Sequence, residues 1–218
     1  MVNKMTMTLQ PPSKSTFVFL TGTSAVGKTT LFEYIKKEVV NAECVSISAR
    51  TVREKLGNPK WEDLVNNTEL ARAHQRAVFN YFTASILARA NVVAASASDL
   101  PHIYIFERSL IDVIGYSSSF GLSSFITTDS FADEMYHIPF ITQLLKDQYK
   151  IECLYMHMLL DPSVPYDQIE ARPTEDIRDA CGDKVKGFLR NSPLRSFNHK
   201  RSSPEEAIAH LQEELLKI

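Results

Sequence analysis

The glycine-rich stretch GTSAVGKT, residues 22–29, constrains the fold of this chain more than any other feature. It follows the apolar run TFVFLT and precedes a segment of helical period, so the glycines lie in a turn between a strand and a helix. The spacing G-x-x-x-x-G-K-T lets backbone N–H groups turn inward around a phosphate at the positive end of the following helix. The stretch therefore predicts a binding site for a nucleoside triphosphate.

The chemistry of the loop assigns a task to its last residues. Lys28 is expected to reach the β- and γ-phosphates, and the Thr29 hydroxyl is expected to ligate Mg²⁺. ATP or GTP with magnesium fits such a loop, and the absence of an N-K-x-D guanine-reading motif favours ATP. The residues expected to contact the triphosphate are Gly22, Thr23, Ser24, Ala25, Val26, Gly27, Lys28, Thr29 and Thr30.

Apolar runs alternate with longer segments of helical period along the rest of the chain. This alternation is typical of parallel strands joined by crossover helices, and it predicts an α/β fold with a five-stranded parallel sheet in three layers. The strands are expected at 16–21, 44–48, 103–106, 151–160 and 194–198. Helices are expected at 28–40, at 61–90 and from 204 to 216.

Composition narrows the class of protein. The 218 residues are 44% hydrophobic, which predicts one soluble domain, residues 15–218, after a disordered lead-in of residues 1–14. The net charge of −2 argues against a generally basic nucleic-acid binder. The three cysteines form no C-x-x-C pair, and no run is long enough to span a membrane, so a cytoplasmic protein without membrane contact is expected.

The stretch IYIFERSLIDVIGY, residues 103–116, places charged residues directly after a buried strand. Because ligands of open parallel sheets bind at the carboxyl ends of the strands, Glu107 and Arg108 are expected to face the phosphates. A carboxylate there can hold magnesium or accept a proton, and an arginine can neutralise the transferred phosphoryl group or bind the acceptor. The alternative is a salt-bridged pair that caps the next helix.

These motifs resemble known families of phosphotransferases. The E-R-S of residues 107–109 resembles the motif of deoxyribonucleoside kinases. The longer ERSLIDVIGY is similar to the D-R-[S/Y] region of thymidylate kinases and of the nicotinamide-riboside-kinase-like, AAA-type P-loop family. The last family resembles the chain from about 16 to 215, through the glycine-rich loop, REKLGNP at 53–59, Gln75 in a long helix, YDQIEARPTEDIR at 166–178 and SSPEEAIAHL at 202–211.

The resemblance implies an ATP-dependent kinase that transfers the γ-phosphoryl group to a nucleoside, a nucleotide or a related hydroxyl or phosphate acceptor. It implies a lid at about 162–190 whose Arg172, and with less weight Arg178, closes over the γ-phosphate. Gln75 would read a base edge of the acceptor, and a homodimer is possible. The alternative for the lid segment is a solvated charged helix.

Arg50 marks a departure from this pattern. Relatives carry an acidic residue three positions before the R-E pair, where it serves as general base, and this chain has Arg50 there. Glu107 or Asp112 is therefore a candidate base, and Asp112 a candidate substrate contact. Arg50 with Arg53 would bind an acceptor that already carries phosphate, unless both arginines pair with surface carboxylates.

Two further readings stay open. A kinase that acts on a hydroxylated base or on an end of DNA would need a basic rim, for which the candidates are Arg190, Arg195, His199, Lys200 and Arg201. A regulatory P-loop protein would bind and hydrolyse the nucleotide without a small-molecule acceptor.

Overall fold

Five parallel strands form the sheet at the centre of the computed structural model, which describes residues 7–96, 101–122, 132–159, 161 and 175–218. The strand order is β2-β3-β1-β4-β5, and every neighbouring pair is parallel. This confirms the predicted α/β fold with a five-stranded parallel sheet. The strands are β1 Thr16–Thr21, β2 Ala42–Val45, β3 Ile103–Phe106, β4 Glu152–Met158 and β5 Ser196–His199.

Helices cover both faces of the sheet and complete the three layers. One face packs on α1 and α8, and the other packs on the helices between β2 and β5. No helix within the described ranges is long and apolar enough to cross a membrane. The helices are α1 Lys28–Glu38, α2 Ala49–Lys55, α3 Trp61–Asn66, α4 Thr68–Ala95, α5 Leu110–Ser119, α6 Ala132–Tyr149, α7 Glu175–Asn191 and α8 Pro204–Leu215.

The central strand β1 is buried along its whole length. Phe17 and Phe19 point to one face, where Phe19 stacks on Phe106 and Tyr155 with ring centroids 4.9 Å apart in each pair. Val18 and the other alternate residues pack on the opposite face. A continuous apolar run thus buries both faces of a parallel strand, and the strand holds the glycine-rich loop at its carboxyl end.

Several element boundaries differ from the sequence-based expectation, and two of these differences have an identified local cause. Strand β2 lies at Ala42–Val45 and not at 44–48, because Ser48 accepts a hydrogen bond from the Arg50 N–H and begins α2. The helix expected at 61–90 is two helices, because the Asn67 side chain accepts a hydrogen bond from the Leu70 N–H and starts α4 anew.

The expectation of a disordered lead-in is wrong for residues 7–14. Leu9 is only 1% exposed in the cluster with α1 and α8, and its N–H donates to Asn41 Oδ1 over 2.9 Å. Met7 forms a β-bridge with Val39. One leucine among polar residues gives little sequence signal, although its burial fastens the segment to the domain. Residues 1–6 lie outside the described ranges.

Candidate functional site

The backbone of the glycine-rich loop requires glycine at two positions. Gly22 has φ +133° and Gly27 has φ +94°, both in a region that favours glycine. A Cβ atom on Gly22 would lie 2.7 Å from the Met158 carbonyl oxygen on β4. The two glycines therefore allow a turn that an ordinary side chain would obstruct, and α1 begins directly after Gly27.

Lys28 is the buried cation of this loop. Its side chain lies inside the turn, only 4% exposed, and its ammonium donates to the carbonyl oxygens of Gly22 and Thr23. Burial, followed by the charge of Arg108, lowers the pKa of Lys28 to about 7 against the opposing influence of nearby carboxylates. The loop thus wraps around an amine that is close to its titration point at neutral pH.

Asp112 connects the loop to α5 through hydrogen bonds. Its Oδ1 accepts the Thr21 hydroxyl over 2.7 Å and the Gly22 N–H over 2.8 Å, while Oδ2 accepts the Ser109 N–H over 3.3 Å. The last contact belongs to the capping box that starts α5. The carboxylate predicted as a substrate contact or base thus lies buried at the cavity edge and is held by three donors.

Glu107 stands between the loop and the strand ends. Its Oε1 accepts from Thr29 Oγ1 over 2.8 Å, and its Oε2 accepts from Ser46 Oγ over 3.2 Å. The register of β2 against β3 pairs Val45 with Phe106, which brings the residues that follow them side by side. A carboxylate beside a hydroxyl is the oxygen donor set that Mg²⁺ prefers, so these residues fit the predicted metal.

A cavity of about 340 Å³ opens beside this edge of the sheet. It lies among α2, α3, α4 and α5, and it contains most of the residues predicted to bind an acceptor. The predicted site residues that line it are Ser24, Thr29, Arg50, Arg53, Gln75, Glu107, Arg108 and Asp112. The topology thus brings residues from four separate stretches of sequence to one place.

An aromatic cluster forms one wall of the cavity. Trp61 stacks on Phe120 at 5.5 Å between centroids and lies 5.8 Å from the Tyr116 ring, and the Arg53 guanidinium lies 5.9 Å above the indole. The Tyr116 hydroxyl is 2.6 Å from Ser24 Oγ, so the wall contacts the loop. Sequence reasoning missed Trp61 and Tyr116. The available signal was that Trp61 is the single tryptophan of the chain.

His74 and Gln75 form the polar part of the α4 wall, and sequence reasoning missed the histidine. Both side chains are buried, and Gln75 Nε2 lies 3.2 Å from His74 Nδ1. Burial, followed by the Arg53 charge, lowers the pKa of His74 to about 4, so the imidazole is neutral at pH 7. The polar atoms His74 Nε2 and Arg53 Nε are buried and have no hydrogen-bond partner among the described residues.

Only one of the two predicted lid arginines, Arg178, lies in the part of the chain that the structure describes. Arg178 lies in α7 with a buried side chain that contacts Glu175 at 2.9 Å and Asp179 at 2.7 Å. Its backbone carbonyl accepts the Thr23 hydroxyl over 2.7 Å, so α7 contacts the glycine-rich loop. Arg172 and the first part of the predicted lid, residues 162–174, lie outside the described ranges, and the remainder of the lid belongs to α7.

The proposed basic rim near the carboxyl terminus is not continuous. His199 is buried, with Nδ1 3.1 Å from His210 Nδ1 and Nε2 2.9 Å from Ser202 Oγ. Arg190, Lys200 and Arg201 are exposed, and Arg195 is half-buried. His199 therefore belongs to a packed histidine pair at the junction of β5 and α8.

Comparisons with known proteins support the fold. No family model matches the chain, and no curated protein matches its sequence. Among solved structures, thymidylate kinase from Candida albicans is 13% identical with a TM-score of 0.52, over 92% of this chain and 90% of that one. Deoxyadenosine kinase from M. mycoides, solved with bound dCTP, is 13% identical with a TM-score of 0.50, over 93% of this chain and 100% of that one.

Both likenesses extend over more than 90% of this chain. The chain shares the fold of these two kinases, a five-stranded parallel sheet flanked by helices. The narrower resemblance to the nicotinamide-riboside-kinase-like family stays a prediction.

Proposed function

We propose that the protein is an ATP-dependent phosphotransferase that moves the γ-phosphoryl group to a nucleoside, a nucleotide or a related acceptor in the cavity. One observation carries this proposal. The cavity wall includes Thr29, at the end of the glycine-rich loop, and Glu107, which accepts the Thr29 hydroxyl. The same cavity is lined by Arg50, Arg53 and Arg108. A donor placed in the loop would therefore direct its terminal phosphate toward a concave, partly cationic chamber.

The donor half rests on Lys28 and Thr29. A triphosphate would offer the Lys28 ammonium charged oxygens, which are stronger acceptors than the two neutral carbonyls that it contacts. Thr29 and Glu107 would hold Mg²⁺, which when bound supplies charge neutralisation for the β- and γ-phosphates. Thr23 and Ser24 fasten the loop to α7 and α5 and so preserve its shape.

The acceptor half rests on the arginines and on Glu107. An acceptor oxygen forms a bond to the γ-phosphorus while the bond to the β,γ-bridging oxygen breaks, and ADP leaves. Arg108 would neutralise charge on the transferred group, Arg50 would bind a phosphate already present on the acceptor, and Arg53 would contact another part of that acceptor. If the acceptor is a hydroxyl and Glu107 is not a metal ligand, Glu107 would accept the hydroxyl proton and leave Mg²⁺ to Thr29, since Asp112 already receives three donors.

The proposal extends to the organisation of the chain. Residues 15–218 would act as one kinase domain, and the segment at about 162–190 would close over the phosphates with Arg172. The contact of Thr23 with the α7 backbone supports this placement, because α7 forms the second part of that segment and lies next to the loop. Closure would exclude water, which otherwise competes with the acceptor for the phosphoryl group.

A phosphate-transfer screen tests the proposal. ATP labelled in the γ-phosphoryl group is incubated with Mg²⁺ and a panel of nucleosides, nucleoside monophosphates and hydroxylated oligonucleotides, and labelled products are separated. Lys28→Ala should abolish transfer. Lys36→Ala, which removes an exposed lysine of α1, is the matched control and should leave transfer unchanged.

Three outcomes would count against the proposal as stated. Label released only to water, at a rate that no acceptor changes, would favour a regulatory nucleotide hydrolase. Transfer that persists in Lys28→Ala would refute the assignment of the loop. Transfer to oligonucleotides alone, with steep salt dependence, would favour the nucleic-acid alternative, because only several phosphate contacts give such a slope.

A further inference from the structure

The buried imidazole of His74 presents an unused hydrogen-bond donor. The side chain lies on α4 at the cavity wall and is 3% exposed. Gln75 Nε2, an amide nitrogen that can only donate, lies 3.2 Å from His74 Nδ1. Nδ1 is therefore the acceptor, and the proton of the neutral ring lies on Nε2, which has no partner within the described part of the chain.

Arg53 brings a second unused donor to the same cavity. Its Nε–H is buried and also lacks a partner in the described ranges, while its guanidinium lies over Trp61. A buried donor without an acceptor is destabilising, because it has lost its hydrogen bonds to water and gained none in return. Two such donors from two different helices face one cavity, which indicates that an acceptor atom on a ligand completes them.

The surroundings restrict the chemistry of that ligand atom. The low pKa of His74, about 4, means that this side chain contributes a neutral donor at pH 7. The rings of Trp61 and Phe82 line the same cavity and offer flat apolar surface to a ring. A planar heterocycle that carries a carbonyl oxygen matches a neutral donor, a guanidinium donor and aromatic faces together.

We infer that His74, together with Arg53, binds a ring carbonyl oxygen of the acceptor and so selects oxo-substituted bases over amino-substituted ones. The inference rests on the proposed function, since it assigns the acceptor that occupies the same cavity. An amino group at this position would oppose two donors with a third, and it would leave all of them unpaired. Uracil and hypoxanthine carry the oxo group, and cytosine and adenine carry the amino group in its place.

Direct binding of nucleotides that differ in an oxo or an amino group tests the inference. Isothermal titration calorimetry would measure UMP against CMP and IMP against AMP, and the corresponding nucleosides, with the protein and a non-hydrolysable ATP analogue. We expect the oxo compound of at least one pair to bind about tenfold more tightly. His74→Ala should reduce that ratio to near one, and His74→Asn, which keeps a donor, should retain part of it.

Thr83→Val is the control variant. Thr83 lies on the same helix and also has a buried hydroxyl without a partner among the residues that the structure describes, but it does not line the cavity. Its loss should leave the ratio unchanged. Should His74→Ala fail to bind the ATP analogue, His74→Phe takes its place, and the wild-type His74 Nε2–H resonance should move on addition of UMP and not of CMP.

Three results would overturn the inference: a ratio that His74→Ala does not change, tighter binding of the amino compounds, or no binding by any of the compounds. The labelled-phosphate screen keeps this separate from the proposed function. Selective binding without transfer would refute the kinase and leave the carbonyl subsite. Transfer without selectivity would leave the kinase and refute the subsite.

Discussion

The glycine-rich loop and the cavity wall beside it differ in how their polar groups are paired. In the loop, the side chains of Thr21, Thr23 and Lys28 all donate to groups of the protein itself. In the wall, Arg53 Nε and His74 Nε2 are buried without a partner in the ranges that the structure describes. Glu107 contacts the loop and also lines the cavity. These polar groups are paired within the protein in the loop, whereas those of the wall need a ligand.

This difference suits the loop to binding the phosphate donor and the wall to selecting the acceptor. A loop held by its own hydrogen bonds is preorganised for a donor that every reaction cycle shares. A wall with unpaired donors gains binding energy only from a ligand that supplies the matching acceptors. Changes in the loop should therefore affect stability and donor binding together, whereas changes in the wall should affect the acceptor.

Gly22→Ala should have the largest effect, because it breaks the loop itself. Its φ of +133° disfavours any side chain, and the new Cβ would meet the Met158 carbonyl at 2.7 Å. We expect a loss of about 3 kcal/mol in the free energy of unfolding and at least a hundredfold weaker ATP binding. Urea denaturation and calorimetry measure the two quantities.

Gly121→Ala provides the control for backbone strain. Gly121 also has positive φ, +70°, but an added Cβ there would meet nothing within 4 Å. It should cost about 1 kcal/mol and leave ATP affinity unchanged. Equal losses of ATP affinity in both variants would contradict the steric argument for the loop.

Asp112→Ala should rank second, because it removes the acceptor under the loop. Thr21 and the Gly22 N–H would lose their partner, and α5 would lose its capping box. We expect about 3 kcal/mol of destabilisation with weaker ATP binding. Asp112→Asn, which keeps one acceptor oxygen, should lose less of both. An unaltered stability in Asp112→Ala would show that the loop does not depend on this carboxylate.

Lys28 should make donor binding depend on pH, with an effect of up to about tenfold per pH unit. With a pKa of about 7, the free amine is largely uncharged above pH 7, and phosphate favours the ammonium. Binding should therefore take up a proton at pH 8.5, where affinity falls as pH rises, and none well below pH 7. Calorimetry in two buffers of different ionisation enthalpy measures this uptake.

Lys28→Met is the matched control for that measurement, since it removes the titrating amine while keeping a long side chain. It should bind ATP weakly and without proton uptake. Wild-type binding at pH 8.5 with no proton taken up would contradict the lowered pKa of Lys28.

Tyr116→Phe should have the smallest effect, because it cuts only the link between wall and loop. The 2.6 Å contact with Ser24 disappears while the ring remains beside Trp61. We expect kcat/KM for transfer to fall about fivefold, with ATP affinity nearly unchanged. Ser24→Ala should give the same loss, and the double variant should lose no more than either single one. Fully additive losses would mean that the contact does not couple the regions.

The two regions also differ in how far the sequence predicts them. Strands β1 and β3 lie where their continuous apolar runs indicate, and the loop follows β1 as its glycine spacing requires. These features depend on neighbours in sequence. The placement of Asp112 under the loop depends on α5 packing beside β1, so residue type alone suggested a substrate contact.

The cavity wall depends on tertiary packing even more. Trp61, His74 and Tyr116 come from three helices, and no spacing in the sequence relates them. The pairing of Arg178 with Glu175 and Asp179 is local in sequence, yet its burial beside the loop is a property of α7 packing. Pattern reasoning thus identifies the donor motif and the arginines, while the aromatic and imidazole surfaces require the folded chain.

A compound that spans both regions tests most directly that the loop and the cavity form one site. Adenosine joined to uridine through four or five phosphates should bind at least about a hundredfold more tightly than ATP or UMP alone. Lys28→Ala and Arg53→Ala should each remove most of that gain in calorimetry. A linked compound that binds no better than ATP, or whose affinity Arg53→Ala does not change, would contradict the account.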